Sequence, residues 1–339
     1  MSGHVTLVTG GTGFLGSHLV EALRRRGKAV RTCGRGARPP GLADDVDYRQ
    51  ADLTAGPLDA LVEGTGAIVH AAGAASSTST PQEMEAVNVA GTQHLLEAAY
   101  EAGVPRVVYV STSSVYGKEV ALPQPVVEEA ECHPGPGYAE SKWRAEQAAW
   151  EFTRKGLPVT VLRPATIFGP GAVKLVASTI LDAAIERHAG LGAFSVPREP
   201  VEMRLVHVDD VVAACLHLAQ VDAAPGRAFN LDSGVYPSSH EVAAAVTRAL
   251  GMALELTDDP TPGLSYEERQ ATHDRMLAAG MRGDIILSKQ RIRYLNKANR
   301  NNRLSLAALA GTGFRPRVTG IPGAIQANAG WYAEHRWII

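Results

Sequence analysis

Along the first half of the chain, apolar residues come in short β-branched runs separated by longer stretches of helical period. The runs at 4–8, 29–33, 67–70, 106–112 and 158–163 are continuous rather than alternating, which predicts strands buried on both faces. Segments 14–26, 82–102 and 138–155 carry apolar residues at helical spacing, and Gly27 and Gly103 follow two of them as C-terminal caps. A further strand is expected before "QADLT" (50–54). Strand–helix alternation of this kind predicts a doubly wound α/β domain with a parallel sheet. After about residue 170 the pattern loosens. Helices are expected near 173–188, 209–220, 239–250 and 265–279, separated by loops rich in Pro and Gly, and "GAFSVPREPVE" (192–202) reads as a flexible cover. The expected division is a nucleotide-binding domain over 1–170, with some later segments returning to it, and a smaller lobe made mainly of 171–339.

The first strand runs directly into "VTGGTGFLGSHL" (8–19), which opens the first helix. Gly10, Gly13 and Gly16 have the spacing that permits a tight turn, close backbone approach to a pyrophosphate and close helix–sheet packing. The helix amides beginning at Phe14 and Leu15 would receive the negative charge. A nucleoside-triphosphate loop would need Gly-Lys-Ser/Thr, and no lysine is present. In a strand–loop–helix context the pattern points to a dinucleotide. At the end of the second strand, "VRTCGRGAR" (30–38) has Gly34 where an NAD protein places an acid for the ribose 2′-OH. Arg35 stands beside it, and a guanidinium suits a 2′-phosphate. Arg31 and Arg38 add positive charge nearby. NADP(H) is therefore favoured, with NAD(H) as the alternative. Asp52, followed by Leu53, is placed to accept from an adenine amino group.

"GYAESKWRAE" (137–146) sets Tyr138 and Lys142 one helical turn apart on a single face. A lysine beside a phenol favours the phenolate and lowers its pKa. By itself the pair does not decide between a proton-transfer device and surface decoration, and at this spacing it is usually the latter.

Further motifs follow in order: "HAAG" (70–73), "NVAGT" (88–92), "STSSVYG" (111–117), "RPATIFGPG" (163–171), "VHVDDV" (206–211) and the tail "FRPRV…WYAEH" (314–335). With "TGGTGFLG" (9–16), "DL" (52–53) and "YAESK" (138–142), the chain resembles the extended short-chain dehydrogenases/reductases along nearly its whole length. That family includes nucleotide-sugar epimerases and 3β-hydroxysteroid dehydrogenase-like enzymes. The resemblance implies a Rossmann-type doubly wound parallel sheet with a smaller C-terminal substrate-binding lobe. It implies Tyr138 as general acid/base, and Lys142 as the group that holds the nicotinamide ribose and brings the phenol's pKa towards neutrality. Thr112 takes the position of the family's hydroxyl, four residues before the tyrosine of "VYG", with Ser111 and Ser113 as neighbours that can be confused with it. Asn88 matches a supporting asparagine acting through an ordered water; the other reading is a helix-interior amide that satisfies backbone. Ala71, Ala72 and Pro164 fall at cofactor-contacting motif positions. His70 and His207 are expected to be structural, and Asp209 and Asp210 to cap the following helix. The family dimerises through a four-helix bundle, which here would use 82–102 and 138–152 with Leu95, Leu96, Ala99, Trp143 and Ala149 as its apolar surface.

Departures from the family's patterns narrow the activity. Dehydratases place Asp-Glu after the catalytic threonine, whereas Ser113 and Ser114 follow here. Epimerases acting on nucleotide sugars often carry asparagine three residues after the arginine of their "RPFN" motif, where this chain has Thr166. They also often place arginine four residues before the "HVxD" histidine. That position is Met203, with arginine shifted to Arg204. The ketoreductase and 3β-hydroxysteroid dehydrogenase-like branch fits better, implying reduction of a ketone or oxidation of a secondary alcohol on a small organic substrate. The alternative is a nucleotide-sugar 4-epimerase or 4-ketoreductase. A non-catalytic NADP sensor or a scaffold subunit is argued against by the intact Thr112, Tyr138 and Lys142.

Composition adds exclusions. The chain has 339 residues, 45% hydrophobic and 20% charged, with a formal net charge of −2. No global basic field invites nucleic acid or membrane. The three cysteines, Cys33, Cys132 and Cys215, lack disulfide or metal spacing and read as reduced thiols. No histidine spacing suggests a metal. With no apolar run near bilayer length and no secretory leader pattern at the start, a cytoplasmic location is expected. One local exception is "KQRIRYLNKANRNNR" (289–303), with Lys289, Arg291, Arg293, Lys297, Arg300 and Arg303. It reads either as a solvated face or as a landing site for an anionic or carrier-bound substrate.

Overall fold

The computed structural model describes residues 5–75, 79–259, 262–292, 295 and 303–339. In chain order its strands are β1 (Val5–Thr9), β2 (Val30–Gly34), β3 (Asp47–Gln50), β4 (Thr65–His70), β5 (Val107–Val110), β6 (Val159–Pro164), β7 (Thr166–Phe168), β8 (Ala193–Pro197), β9 (Leu205–His207), β10 (Ala228–Leu231) and β11 (Ala253–Thr257). Two compact units are formed. The first takes the described residues up to Ala165 together with Asp209–Leu231 and Arg303–Arg315; the second takes those within Thr166–Val208, Asp232–Asn302 and Pro316–Ile339.

In the first unit a seven-stranded sheet runs in the order β10-β6-β5-β4-β1-β2-β3, parallel throughout. Strand order reverses between β1 and β4, which makes the sheet doubly wound and puts a crevice at the carboxyl ends of those strands. The continuous apolar runs are buried as the pattern predicts: every residue of β5 and β6 is buried. Helices Gly91–Glu101 and Tyr138–Lys155 cover one face, sending Leu95, Leu96, Ala99, Ala145, Ala149 and Phe152 into a core shared with Leu7, Ile68, Val107 and Val159.

This packing corrects the expected dimer surface. Leu95, Leu96, Ala99 and Ala149 are fully buried within their own chain, and Trp143 packs against the cluster of Val115, Tyr116, Val126 and Leu304. The outward faces of the two helices carry instead Gln93, Glu97, Tyr100, Arg144, Gln147 and Glu151. A second correction concerns 82–102, which is not one helix. A turn at Pro81–Met84, closed by a reciprocal Thr80–Glu83 capping box, leads into a π-helical stretch, Glu85–Ala90, before Gly91–Glu101.

The second unit holds two short parallel pairs, β7 with β9 and β8 with β11. The segment expected as a flexible cover is thus partly strand. Phe194 and Val196 alternate with less buried neighbours, as in a half-buried strand. Helices Val176–His188, Ser239–Leu250, Tyr266–Ala278 and Ile321–Glu334 complete the unit. Two buried ion pairs, Arg269 with Asp182 and Arg291 with Glu186, fasten later chain to the first of these helices. Arg291 is therefore structural and not part of an anion-landing face. Lys289 and Arg303 are exposed, and Arg293, Lys297 and Arg300 lie outside the described residues. Among the described residues no helix is long and apolar enough to cross a membrane.

Candidate active site

Candidate residues collect at the carboxyl ends of β1, β4, β5 and β6: the glycine loop after Thr9, Ala71 and Ala72 after His70, Thr112 after β5, and Pro164 closing β6. The loop after β1 turns at Gly10, whose φ of +69° is the left-handed region that glycine adopts freely. A Cβ on Gly10 would lie 2.8 Å from the backbone of Ala72, and one on Gly16 would lie 1.9 Å from the Gly10 carbonyl oxygen. Gly13 differs: its Cβ would meet only that carbonyl, at 3.3 Å, and the residue is exposed. Absence of a side chain at Gly13 thus keeps an approach open rather than relieving a contact.

Helix Phe14–Arg25 begins there with Gly13 as N-cap and no side-chain cap. Its first amides, including those of Phe14 and Leu15, are left to meet an anion. These features fit a dinucleotide pyrophosphate. Gly11 escaped the sequence reading, yet a Cβ there would lie 2.1 Å from the Thr32 hydroxyl. The doubled glycine in "TGGTG" was its only signal.

At the end of β2 the charges divide. Arg31 is buried, donates to Asp47 at 2.7 Å and to the carbonyls of Leu61 and Glu63, and so belongs to the fold. The Arg38 guanidinium is taken up by the carbonyls of Val46, Leu42 and Ala43. Both depart from the expectation of a shared basic cluster, because each satisfies backbone acceptors. Arg35 is exposed, and its charge helps hold the Asp52 carboxyl below its usual range, after the larger effect of hydrogen bonds from the Thr54 amide and hydroxyl. The Leu53 side chain sits in the core rather than facing a nucleotide, while its carbonyl meets the His94 ring at 3.1 Å.

Tyr138 and Lys142 open helix Tyr138–Lys155. The first turn is pinned from outside. Asn88, in the π-helical stretch, accepts from the Ala74 amide at 2.7 Å and donates to the Ala74 carbonyl at 3.0 Å and to Ser141 Oγ at 2.9 Å. Ser141 in turn donates to the Tyr138 carbonyl at 2.9 Å. Asn88 thus satisfies backbone and also ties the loop after β4 to the turn bearing Tyr138. Lys142 is buried, with Nζ 4.3 Å from the centroid of the Tyr109 ring, a cation–π arrangement.

Burial pulls the Lys142 ammonium down to about 7, against the raising effect of Glu146. Burial also pushes the Tyr138 phenol up to about 12. The lowering expected from the spacing is not seen, because burial of the phenol disfavours its anion. Of the three neighbouring hydroxyls, Ser111 donates to the Glu146 carboxylate at 2.9 Å. Thr112 accepts from the Ser114 amide at 3.2 Å and caps the short helix Ser113–Tyr116.

His70 is structural, as expected. It lies between the hydroxyls of Thr9, at 2.6 Å, and Thr92, at 2.9 Å, and burial holds it neutral with a pKa of about 3. Among the described residues no metal-binding cluster occurs, and the three cysteines are free thiols.

Residues 6–232 match the model of the NAD dependent epimerase/dehydratase family. A 4-hydroxy-2-methyl-3-oxo-4-farnesyl-3,4-dihydroquinoline-1-oxide ketoreductase of Stigmatella aurantiaca is 35% identical over 175 residues, which span 48% of this chain and 50% of that protein. Sterol demethylase protein B of Methylococcus capsulatus is 34% identical over 278 residues, 78% of each chain. Among solved structures, MoeE5 in complex with UDP-glucose and NAD is 25% identical, with a TM-score of 0.72 over 97% of this chain and 99% of that one. The chain belongs to the NAD dependent epimerase/dehydratase family, the extended short-chain dehydrogenases/reductases, whose members are NAD-dependent oxidoreductases and epimerases.

Proposed function

We infer that the protein is an NAD(P)(H)-dependent oxidoreductase that interconverts a ketone and a secondary alcohol on a small organic substrate. The observation that carries this reading is the placement of Tyr138 and buried Lys142 one turn apart, with Lys142 Nζ over the Tyr109 ring of β5, while Thr112 and an uncapped glycine cradle follow β5 and β1. When bound, the nicotinamide supplies the hydride acceptor or donor. The chain supplies the rest. Tyr138 gives its phenolic proton to the carbonyl oxygen during reduction and takes it back during oxidation. Thr112 orients the same oxygen by a hydrogen bond. Lys142 holds the nicotinamide ribose, and its ammonium opposes the rise that burial imposes on the phenol. Gly10, Gly13, Gly16 and the amides of Phe14 and Leu15 receive the pyrophosphate, Asp52 the adenine, and the loops at Ala71–Ala72 and Pro164 flank the cofactor. Arg35 gives a preference for NADP(H).

The identity to a ketoreductase and the Thr166 and Met203 departures support a substrate that is not a nucleotide sugar. A second reading, nucleotide-sugar 4-epimerase or 4-ketoreductase, draws support from the full-length likeness to MoeE5. Substrate and stoichiometry together separate the two, since a nucleotide-sugar 4-ketoreductase consumes NADPH with a 4-keto sugar nucleotide and not with the simple ketones. A net oxidoreductase consumes one NADPH per ketone in a panel of ketones and secondary alcohols, whereas an epimerase converts UDP-glucose with no net change in absorbance. The assembly proposed is a homodimer through the outward faces of helices Gly91–Glu101 and Tyr138–Lys155, where Tyr100 is an exposed aromatic.

A further inference from the structure

Glu146 lies one helical turn beyond Lys142, so Tyr138, Lys142 and Glu146 line one face of the same helix. It is fully buried. Buried carboxylates are costly unless paired and hydrogen-bonded. This one is met by Arg163 of β6 through two guanidinium nitrogens, and by the Ser111 hydroxyl at 2.9 Å. Arg163 is fixed further by donating to the Tyr116 hydroxyl and the Glu128 carbonyl, both at 2.8 Å. Tyr116 donates to Asn230 of β10 at 2.8 Å. A connected polar network therefore runs under the site, starting at the residue before Thr112 and ending at the sheet edge. Nothing in the proposed proton transfer uses it.

We propose that Glu146 is a positioning residue for Lys142: its buried carboxylate, clamped by Arg163 and Ser111 one turn along the same helix face, favours the ammonium form of the lysine against burial. Resting on the proposed oxidoreductase reading, this assigns to the network the role of supplying charge where water cannot. Other groups facing Lys142 do not supply it. Tyr138 on its own helix is a protonated phenol, Tyr109 of β5 offers the ammonium its ring while its hydroxyl donates to the Lys142 carbonyl at 3.3 Å, and His70 of β4 is neutral. The groups facing Glu146 are Arg163, Ser111, Lys142, Tyr109 and Cys132, and Arg163 is the strong cation among them. Burial pulls the Lys142 ammonium down, and the Glu146 carboxylate opposes that pull.

The test reads Lys142 itself, by an NMR pH titration of its Cε signal, assigned with Lys142→Met. This needs no substrate and so stands apart from the oxidoreductase reading. Glu146→Gln lowers the Lys142 midpoint by about one pH unit, and Arg163→Met, which leaves the carboxylate to the lysine alone, raises it by about one. Glu146→Asp restores it towards wild type. With NADPH and an accepted ketone, the alkaline limit of kcat/KM moves in the same direction as each midpoint. A purely structural role of the pair predicts no such opposite displacement. An unchanged or raised midpoint in folded Glu146→Gln overturns the proposal. So does a midpoint in Arg163→Met that falls or stays, a variant that decides the matter should Glu146→Gln not fold.

Discussion

Lys142 and His70 are both buried bases, and both make stability depend on pH with a predictable sign. Lys142 has a folded pKa of about 7 against 10.5 for the free side chain. Between those values the unfolded chain binds more protons, so stability rises as pH rises from about 7 towards 10. Lys142→Met flattens that rise in urea denaturation measured across the window. His70, at about 3 against 6.5, makes stability fall as pH drops below about 6.5. Each contribution is on the order of a few kcal/mol at its limit. His70→Asn should reduce the acid loss, although it also disturbs Thr9 and Thr92.

Cofactor choice is decided at the same scale. A Cβ on Gly34 would stand 2.7 Å from the Tyr48 hydroxyl, which donates to the Gly36 carbonyl. An acid at Gly34 would disturb that bond, so Arg35→Ala is the cleaner variant. Wild type should prefer NADP(H) by roughly ten- to a hundredfold, from a charge-assisted contact weakened by exposure. Arg35→Ala should lose most of that preference in fluorescence titrations. Unchanged preference would mean that the guanidinium does not contact the 2′-phosphate. The one-turn spacing of Tyr138 and Lys142 and the exposed loop position of Arg35 are legible in sequence from helical period and strand boundaries. The true roles of Arg31 and Arg38 are not, because their acceptors, Asp47 and the carbonyls of the following loop, meet them only in the folded chain.

The glycine loop gives the clearest contrast between elements. Gly16→Ala drives a methyl into the Gly10 carbonyl and should destabilise the fold by about 1–3 kcal/mol as well as weaken dinucleotide binding. Gly13→Ala should leave the melting temperature nearly unchanged and still weaken binding, because its methyl fills only the approach to the uncapped helix. If Gly13→Ala bound the dinucleotide like wild type, the cradle would be misplaced. Strand and helix positions followed from period alone over most of the first unit. The break of 82–102 by a π-helical stretch did not, because "EAVNVA" keeps helical propensity and the contacts of Asn88 with Ala74 and Ser141 form only in the folded chain. Strand β8 was hidden by prolines at 197 and 200 that mimic a loop.

For the molecule as a whole, the two covering helices show what one sequence leaves ambiguous. Their apolar stripe is real, but period cannot say whether a stripe meets its own sheet or a partner. Leu95→Ala should therefore cost about 2–5 kcal/mol of stability as a core cavity. Assembly should depend instead on the outward face. Light scattering at micromolar concentration should give a dimer mass that Tyr100→Glu shifts towards the monomer, and a monomer mass for wild type would reject the homodimer. The sheet likewise completes itself with β10, far along the chain, which a short run at 228–231 did not announce.

The most direct measurement is turnover of wild type and Tyr138→Phe against a panel of ketones and secondary alcohols, followed by NADPH and NADH absorbance with cofactor affinity measured in parallel. Tyr138→Phe removes the transferable proton and little volume, so turnover should fall by about a hundredfold or more while cofactor affinity stays close to wild type. Near-normal turnover in Tyr138→Phe would contradict the assignment of the site.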